Sequence, residues 1–305
     1  MGSRSVITIF LLLATPLANG SACCGGGSSL PTLITGDYRG QVVLTGSNSA
    51  VTHDTSVSGK IDKRDGSNQE TTETIVLSAS YLLSPLWQIG LTIPFKYNTH
   101  RAASSNESSH GISDLKTQIG YEFLPEYSFS LWKPRGFIFL EQTFPTSKST
   151  YTAEKPLRTD SLGNGFYTAA VGISFVKIIY NYDFLFMTKI YQSLTRRFNQ
   201  NNESLRVRPG FGHSALLGGG ISPSGGNFRL GGTLLYSREG SSAIEGNTSS
   251  KSNARYYWEA GLSASYLLNK YSISLSYNDQ SFFGQASNTT LSKSINLSVI
   301  KFFDI

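Results

Sequence analysis

Between Tyr256 and Tyr277 the chain alternates, residue by residue, between apolar and small polar side chains, with a single break. Trp258, Ala260, Leu262, Ala264, Tyr266 and Leu268 interleave with Tyr257, Glu259, Gly261, Ser263 and Ser265. After Asn269 and Lys270 the pattern resumes, with Tyr271, Ile273, Leu275 and Tyr277 set against Ser272, Ser274, Ser276 and Asn278. Successive side chains of a strand point to opposite faces, whereas a helix would scatter both sets around its axis. The stretch therefore predicts a hairpin with one apolar and one hydrophilic face. Strands of about ten residues, apolar outside, small and polar inside and framed by aromatics, are the pattern of outer-membrane β-barrels.

The same period recurs upstream. Val43 lies in a first strand, and Asn48 to Thr72, rich in Ser, Thr, Asp and Gly, reads as a long exposed loop. Ile75, Leu77, Ala79, Tyr81 and Leu83 line one face, then Ser84 and Pro85 turn the chain into Trp87, Ile89, Leu91, Ile93, Phe95 and Tyr97. A polar gap, Thr99 to His110, precedes Leu115, Thr117, Ile119, Tyr121 and Phe123. A shorter connection, Leu124 to Pro134, leads to a strand around Phe137 to Thr143 and a long loop, Pro145 to Asn164. Tyr167, Ala169, Val171, Ile173 and Phe175 follow, with a turn near Lys177 and Ile178, and then Tyr180, Tyr182, Phe184, Phe186 and Ile190. Asn199 to Glu203 reads as loop, Val207 to Ile221 as a glycine-broken strand, and Ser222 to Gly226 as a turn. Phe228, Leu230, Leu234 and Tyr236 precede the polar segment Glu239 to Asn253, and Leu291, Ile295, Leu297, Val299, Phe303 and Ile305 close the chain.

These segments number about twelve. Gaps after odd strands are long and polar, and those after even strands are mostly short. The expected fold is all-β, a transmembrane antiparallel up-and-down barrel with long extracellular loops and short periplasmic turns. Closure is obligatory in lipid, where an unpaired backbone group costs several kcal/mol. Only 15% of the 305 residues are charged, against about a quarter in soluble domains, while there are 18 Phe, 16 Tyr and 30 Gly. A secreted β-sandwich shares that composition but has no reason to keep the alternation in loop length. The net charge of +6 is scattered rather than clustered, so no nucleic-acid partner is expected.

Arg4, the apolar run Val6 to Ala14, Pro16 and the small residues up to Ala22 predict a signal peptide over residues 1–22. Residues 23–36 form a tether rich in Cys, Gly and Ser, and residues 37–305 the barrel. Cys23 is a candidate for lipidation, although Gly20 stands where such signals place a branched aliphatic. The only cysteines, Cys23 and Cys24, lie outside the expected barrel, so no disulfide framework holds it.

Gly111-Ile112-Ser113-Asp114-Leu115, opening a strand that ends Tyr121-Glu122-Phe123-Leu124, resembles the outer-membrane family described by the MetA pathway of phenol degradation. The Cys-Cys-Gly-Gly-Gly start is similar to relatives of that group. The resemblance, from about Thr74 onward, implies a barrel porin or transporter for small aromatic or other apolar compounds. The terminal Phe303-Asp304-Ile305 is similar to the end signal read by the barrel-assembly machinery, but ends in Ile rather than an aromatic.

Alternation places Lys96, Asp114, Lys116, Glu122, Asp183, Lys189, Arg229 and Glu259 on the inward face as candidate lumen-lining residues. Charges of both signs there line a water-filled passage or pair into plugs that narrow it. No enzyme is expected. His53, His100 and His110 fall in expected loops, and His213 and Ser214, as strand neighbours, point to opposite faces and make a poor catalytic pair. No residues have metal-ligand spacing, and Gly218 to Gly220 and Gly231-Gly232 open no helix that would cradle a phosphate, so no metal or cofactor is expected. Trp87, Trp132 and Trp258 read as interface girdles. The expected function is passage of small solutes, including apolar or aromatic compounds, through a polar lumen in the outer membrane of a Gram-negative-type bacterium, with membrane lipid and the assembly machinery as partners. The alternative is a non-conducting surface barrel whose loops bind a partner.

Overall fold

The computed structural model describes residues 32–200, 203–223, 227–246 and 249–304. The expected signal peptide, Cys23 and the tether as far as residue 31 lie outside them. Twelve long strands carry the fold: β1 (Gly40–Thr55), β2 (Gln69–Leu82), β3 (Trp87–Ala102), β4 (Leu115–Leu124), β5 (Arg135–Phe144), β6 (Thr168–Ile179), β7 (Tyr182–Ser193), β8 (Gly212–Ile221), β9 (Phe228–Glu239), β10 (Arg255–Leu268), β11 (Tyr271–Asp279) and β12 (Thr290–Phe303). Each pairs antiparallel with the next, and β12 closes onto β1, with Gly40 opposite Phe303 and Leu44 opposite Val299. The result is a closed up-and-down barrel without a free edge in the main ring, the solution that lipid demands.

The short connections lie together at one end. Tyr180-Asn181 and Asn269-Lys270 are two-residue turns, with Tyr180 and Asn269 both left-handed at φ 53° and 52°. The long loops emerge at the other end, and four short strands within them, Arg196–Gln200, Glu203–Arg208, Ala243–Glu245 and Ser250–Lys251, form a small sheet of their own.

Several boundaries differ from the sequence expectation. β1 runs on to Thr55 and β2 starts at Gln69, so much of the expected loop from Asn48 to Thr72 is paired strand. Likewise β3 continues to Ala102, and Ser105–Ile112 folds back onto it where a polar gap was expected. Beyond the lipid both faces of a strand meet water, so the ladder continues after its hydropathy signal has vanished. The expected strand from Val207 to Ile221 divides into loop strand Glu203–Arg208 and barrel strand β8, and the turn expected at Lys177 and Ile178 falls at Tyr180 and Asn181. His53, His100 and His110 lie in strands rather than in loops.

Around the barrel the outward positions are exposed and apolar, among them Leu77, Ile119, Leu140, Val171, Phe184, Leu217, Leu230, Leu262, Leu275 and Leu297. Aromatics frame this band at both ends: Trp87 packs tilted against Tyr121 at 4.8 Å on the short-turn side, and Tyr236 against Trp258 at 4.8 Å on the long-loop side. Lys301, also facing outward, lays its ammonium over Tyr271 and Phe303 at the short-turn rim, 5.7 and 5.2 Å from the ring centroids. Such aromatic belts sit at membrane interfaces, and the lysine stem snorkels to reach water. Leu275 lies midway along β11 on this face. Leu275→Arg is expected to destabilise the barrel by about 2–4 kcal/mol in lipid vesicles, as lipid-facing charges at mid-depth do. Urea titration of vesicle-folded protein measures it. A change within about 0.5 kcal/mol, ordinary for a water-facing substitution, would contradict the lipid assignment.

Candidate functional site in the barrel interior

The strand register decides what faces inward, because side chains directly opposite one another share a face. Lys96 lies opposite Thr74, Lys116 opposite Thr92, Glu122 opposite Phe137, Asp183 opposite Gly220, Arg229 opposite Ser265 and Glu259 opposite Leu235. Lys189 pairs across to Gly172 and Ser214. Asp114 precedes β4 in phase with Lys116. All eight candidates thus project toward the barrel axis, but into three different settings.

At the short-turn end, residues 32–35 cross the interior instead of leaving it. Gln88, from the inner face of β3, accepts the Ile34 N–H at 2.7 Å, and the Gln41 amide donates to the Leu33 carbonyl at 3.3 Å. Ser80 Oγ donates to the Thr32 carbonyl. Arg135 grips Glu122 through two parallel hydrogen bonds, Nε to Oε1 at 2.7 Å and Nη2 to Oε2 at 2.9 Å, and donates a third, from Nη1, to the Thr35 carbonyl at 2.6 Å. Glu122 therefore anchors chain across the opening. Leu33 lies over Gly120, where a Cβ would come within 2.8 Å of its methyl group, so only glycine leaves it room. On the opposite wall Arg229 and Asp183 form a bidentate pair, 2.5 and 2.6 Å, with both residues almost fully buried. Gly220 and Gly231 flank the guanidinium so closely that a Cβ on either would meet it at 2.4–2.5 Å, which explains the glycines that open no helix.

The middle of the interior departs from the expected polar lumen. Leu33, Phe137, Phe139, Val176, Leu185, Met187, Leu216 and Leu235 form one buried apolar cluster along the inner faces of β5 to β9, with Ile178 and Tyr257 packed against it. The wall made by β11, β12 and β1 is instead hydroxyl-rich: Ser272, Ser274, Ser276, Asn296 and Ser298 are buried, and Thr45 meets Ser298 at 2.8 Å. Sequence reading missed the apolar sector because Phe137 to Leu140 and Phe184 to Met187 are apolar on both faces and show no alternation. Counting Glu141 as inward would have put Phe139 and Phe137 inward too, since they share its phase.

Toward the long-loop end, Lys189 extends to Glu141 at 3.4 Å. Their strands, β7 and β5, are not neighbours, and β6 presents only Ala170 and Gly172 between them, leaving the path clear. Glu259 accepts a hydrogen bond from Gln280 at 3.0 Å. Above this belt the loop between β5 and β6, residues 145–167, folds inward as a strap, and Asp114 is its latch. Asp114 Oδ1 accepts from Ser147 Oγ at 2.9 Å and from its N–H at 3.4 Å, while Oδ2 accepts the Asn164 N–H at 2.7 Å and the Gly165 N–H at 3.4 Å. Ser113 Oγ donates to the Leu162 carbonyl at 2.5 Å, and Asn98 on β3 donates to the carbonyls of Thr159 and Ser161. Across the mouth, Tyr151 and Phe166 of the strap pack with Phe198, Val207 and Ile244 from the loops between β7 and β8 and between β9 and β10. Tyr151 stacks on Phe198 at 5.0 Å. Within the strap, burial alone would raise the Asp160 carboxyl, but N–H donors from Glu154 and Lys155 outweigh it and hold the group below its usual range.

His213, opposite Arg238 and beside Tyr236, lies on the outer face, and Ser214, opposite Lys189, on the inner. Among the described residues no group of three or more His, Cys, Asp or Glu could hold a metal ion.

No family model matches the chain, and a search of curated proteins gave no match. Among solved structures it is similar to the COG4313 outer membrane channel from Pseudomonas putida F1, with a TM-score of 0.70 and 14% identity over 89% of this chain and 100% of that one. Lower similarity connects it to the NanC porin, with a TM-score of 0.46 and 10% identity over 86% of this chain and 98% of that one. The Pseudomonas putida toluene transporter TodX gives a TM-score of 0.42 and 12% identity over 86% of this chain and 88% of that one. A sheet closed on itself, apolar all round its outer face and girdled by aromatics, with a structural counterpart over 89% of its length, makes this chain a barrel of the outer-membrane fold.

Proposed function

We propose that the protein is a passive channel of a Gram-negative-type outer membrane, its long loops outward and its short turns in the periplasm, passing small solutes that include apolar and aromatic compounds. One observation carries this reading: the interior is neither uniformly apolar nor uniformly polar. It sets an apolar sector, centred on Phe139 and Met187, against a wall of small hydroxyl side chains. A barrel that served only as a scaffold for its loops has no use for a divided interior, whereas a solute with an apolar body and a polar edge finds complementary walls. The resemblance at Gly111 to Leu115 and the fold of the COG4313 channel support the same reading. The eight inward charges act as the pore's anchors and selectors. Membrane lipid, the barrel-assembly machinery reading the chain's end, and a lipid on Cys23 complete the proposed partnerships.

Residues 32–35 at one end and the strap at the other narrow the passage, which is the observation behind the second reading, a non-conducting surface barrel. Full-length protein in planar bilayers and in swelling liposomes separates the two. A channel gives discrete conductance steps and swelling with small sugars and aromatic acids. Membranes that stay sealed to every solute, also after Asp114→Ala has freed the strap, would leave only the surface role.

A further inference from the structure

Immediately beneath the strap, three lysines converge on the inner wall. Lys96 lies two residues below Asn98, which holds the strap, and Lys116 two residues below the latch Asp114. Lys189 reaches in from β7 to Glu141. Lys116 lies within electrostatic reach of Lys96 on one side and of Lys189 and Glu141 on the other. All three ammonium-bearing side chains are half-buried rather than free in water.

The carboxylates nearby do not balance them. Three lysines face two carboxylates, Glu141, bonded to Lys189 and within electrostatic reach of Lys116, and Asp114, within reach of Lys96 and bonded to neutral donors from Ser147, Asn164 and Gly165, which leaves one positive charge over. Among the described residues neither Lys96 nor Lys116 has a carboxylate at ion-pair distance. Half-buried charge is costly unless paired, so this belt holds an excess of positive charge that an incoming anion would offset. The surroundings also choose the rest of the ligand. The next inward residue below Lys189 is Met187 and below Glu141 is Phe139, whose ring lies flat against Gly172, the residue opposite Lys189. Ammonium groups therefore stand directly above the buried apolar cluster.

We propose that this belt is a recognition site for small apolar carboxylic acids. The carboxylate bridges Lys116 and Lys96 or Lys189 through charge-assisted hydrogen bonds, and the hydrocarbon ring displaces Leu33 from the cluster to rest on Phe139 and Met187, which the cluster otherwise keeps buried. The site rests on the channel reading and narrows it to apolar acids in preference to neutral hydrocarbons. A neutral analogue leaves the lysines unpaired, and a cationic one is repelled.

Calorimetric titration of the full-length, detergent-solubilised protein with sodium benzoate, benzyl alcohol and benzylamine tests it, with heat-modifiable gel migration checking that each variant is folded. Benzoate is expected to bind at least about tenfold more tightly than benzyl alcohol, and benzylamine not at all. Lys116→Gln should weaken benzoate roughly tenfold and leave benzyl alcohol unchanged, while Glu141→Gln, which frees Lys189, should tighten benzoate. Equal binding of benzoate and benzyl alcohol, or benzoate binding indifferent to both substitutions, overturns the site. Benzoate bound by a barrel that never conducts would keep the site and remove the channel; benzyl alcohol conducted without benzoate binding would do the reverse.

Discussion

Arg229→Met is expected to cost the barrel about 3–5 kcal/mol, because it strands the Asp183 carboxylate in the interior without its bidentate partner. Both groups are almost completely buried, and the glycines on either side, Gly220 and Gly231, are shaped to the guanidinium, so no neighbouring side chain swings in to replace it. Water entering the space left by the shorter side chain recovers only part of the loss. The double variant Asp183→Leu with Arg229→Met removes both charges and should return most of the stability, since breaking a buried pair costs far more than replacing it with apolar residues. Urea titration of vesicle-folded protein measures both. A single variant within about 1 kcal/mol of wild type, or a double variant no better than the single, would show that the pair lies in well-hydrated surroundings and does not hold β7 to β9 together.

How far the sequence displays this architecture depends on which solvents its strands divide. From Tyr256 to Tyr277 each strand separates lipid from a hydrophilic interior, so the two-residue period is written without interruption and the observed hairpin follows it: Leu262 opposite Tyr277, Ser263 opposite Ser276. Where both faces meet water, as in Ala50 to Thr55 and Gln69 to Thr72, the period disappears although the pairing does not. Where both faces are apolar it disappears again, and Phe137, Phe139, Leu185 and Met187 are therefore hidden as interior groups.

Alternation puts the eight charges on one phase of their strands, but it does not give their partners. Arg135 bonds to Glu122 across 13 positions, Arg229 to Asp183 across 46, and Asn164 to Asp114 across 50, separations that a local period does not encode. Gly111 to Leu115, met in the sequence only as a likeness, turns out to be the strap's mooring. A Cβ on Gly111 would meet Leu162 at 2.9 Å, Ser113 holds the Leu162 carbonyl, and Asp114 holds the loop's amides. Gly163, where a Cβ would collide with the Asp114 carboxylate and with Ser147, shows how closely this loop folds against the latch.

Asp114→Ala is expected to release that strap while leaving the barrel intact. The substitution removes a buried acceptor that satisfies donors from Ser147, Asn164 and Gly165, and hydrogen bonds to a charged acceptor are worth about 1.5–3 kcal/mol each in favourable geometry. The remaining moorings, Asn98 to the carbonyls of Thr159 and Ser161 and the aromatic cluster of Tyr151, Phe166 and Phe198, lie at other points of the loop, so the segment around Asn164 opens first. Opening by about 2–3 kcal/mol raises the exposed fraction roughly 30- to 150-fold. Limited proteolysis should then cut within residues 145–167 at least tenfold faster, and single-channel conductance should rise if the strap narrows the mouth. Asp114→Asn is the sharper control, for its amide keeps the volume and one acceptor oxygen but not the charge, and should fall between the two. Cleavage rates and conductance both unchanged in Asp114→Ala would mean that Asn98, Ser113 and the aromatic cluster hold the strap without it, and that the carboxylate at the head of β4 serves the barrel wall instead.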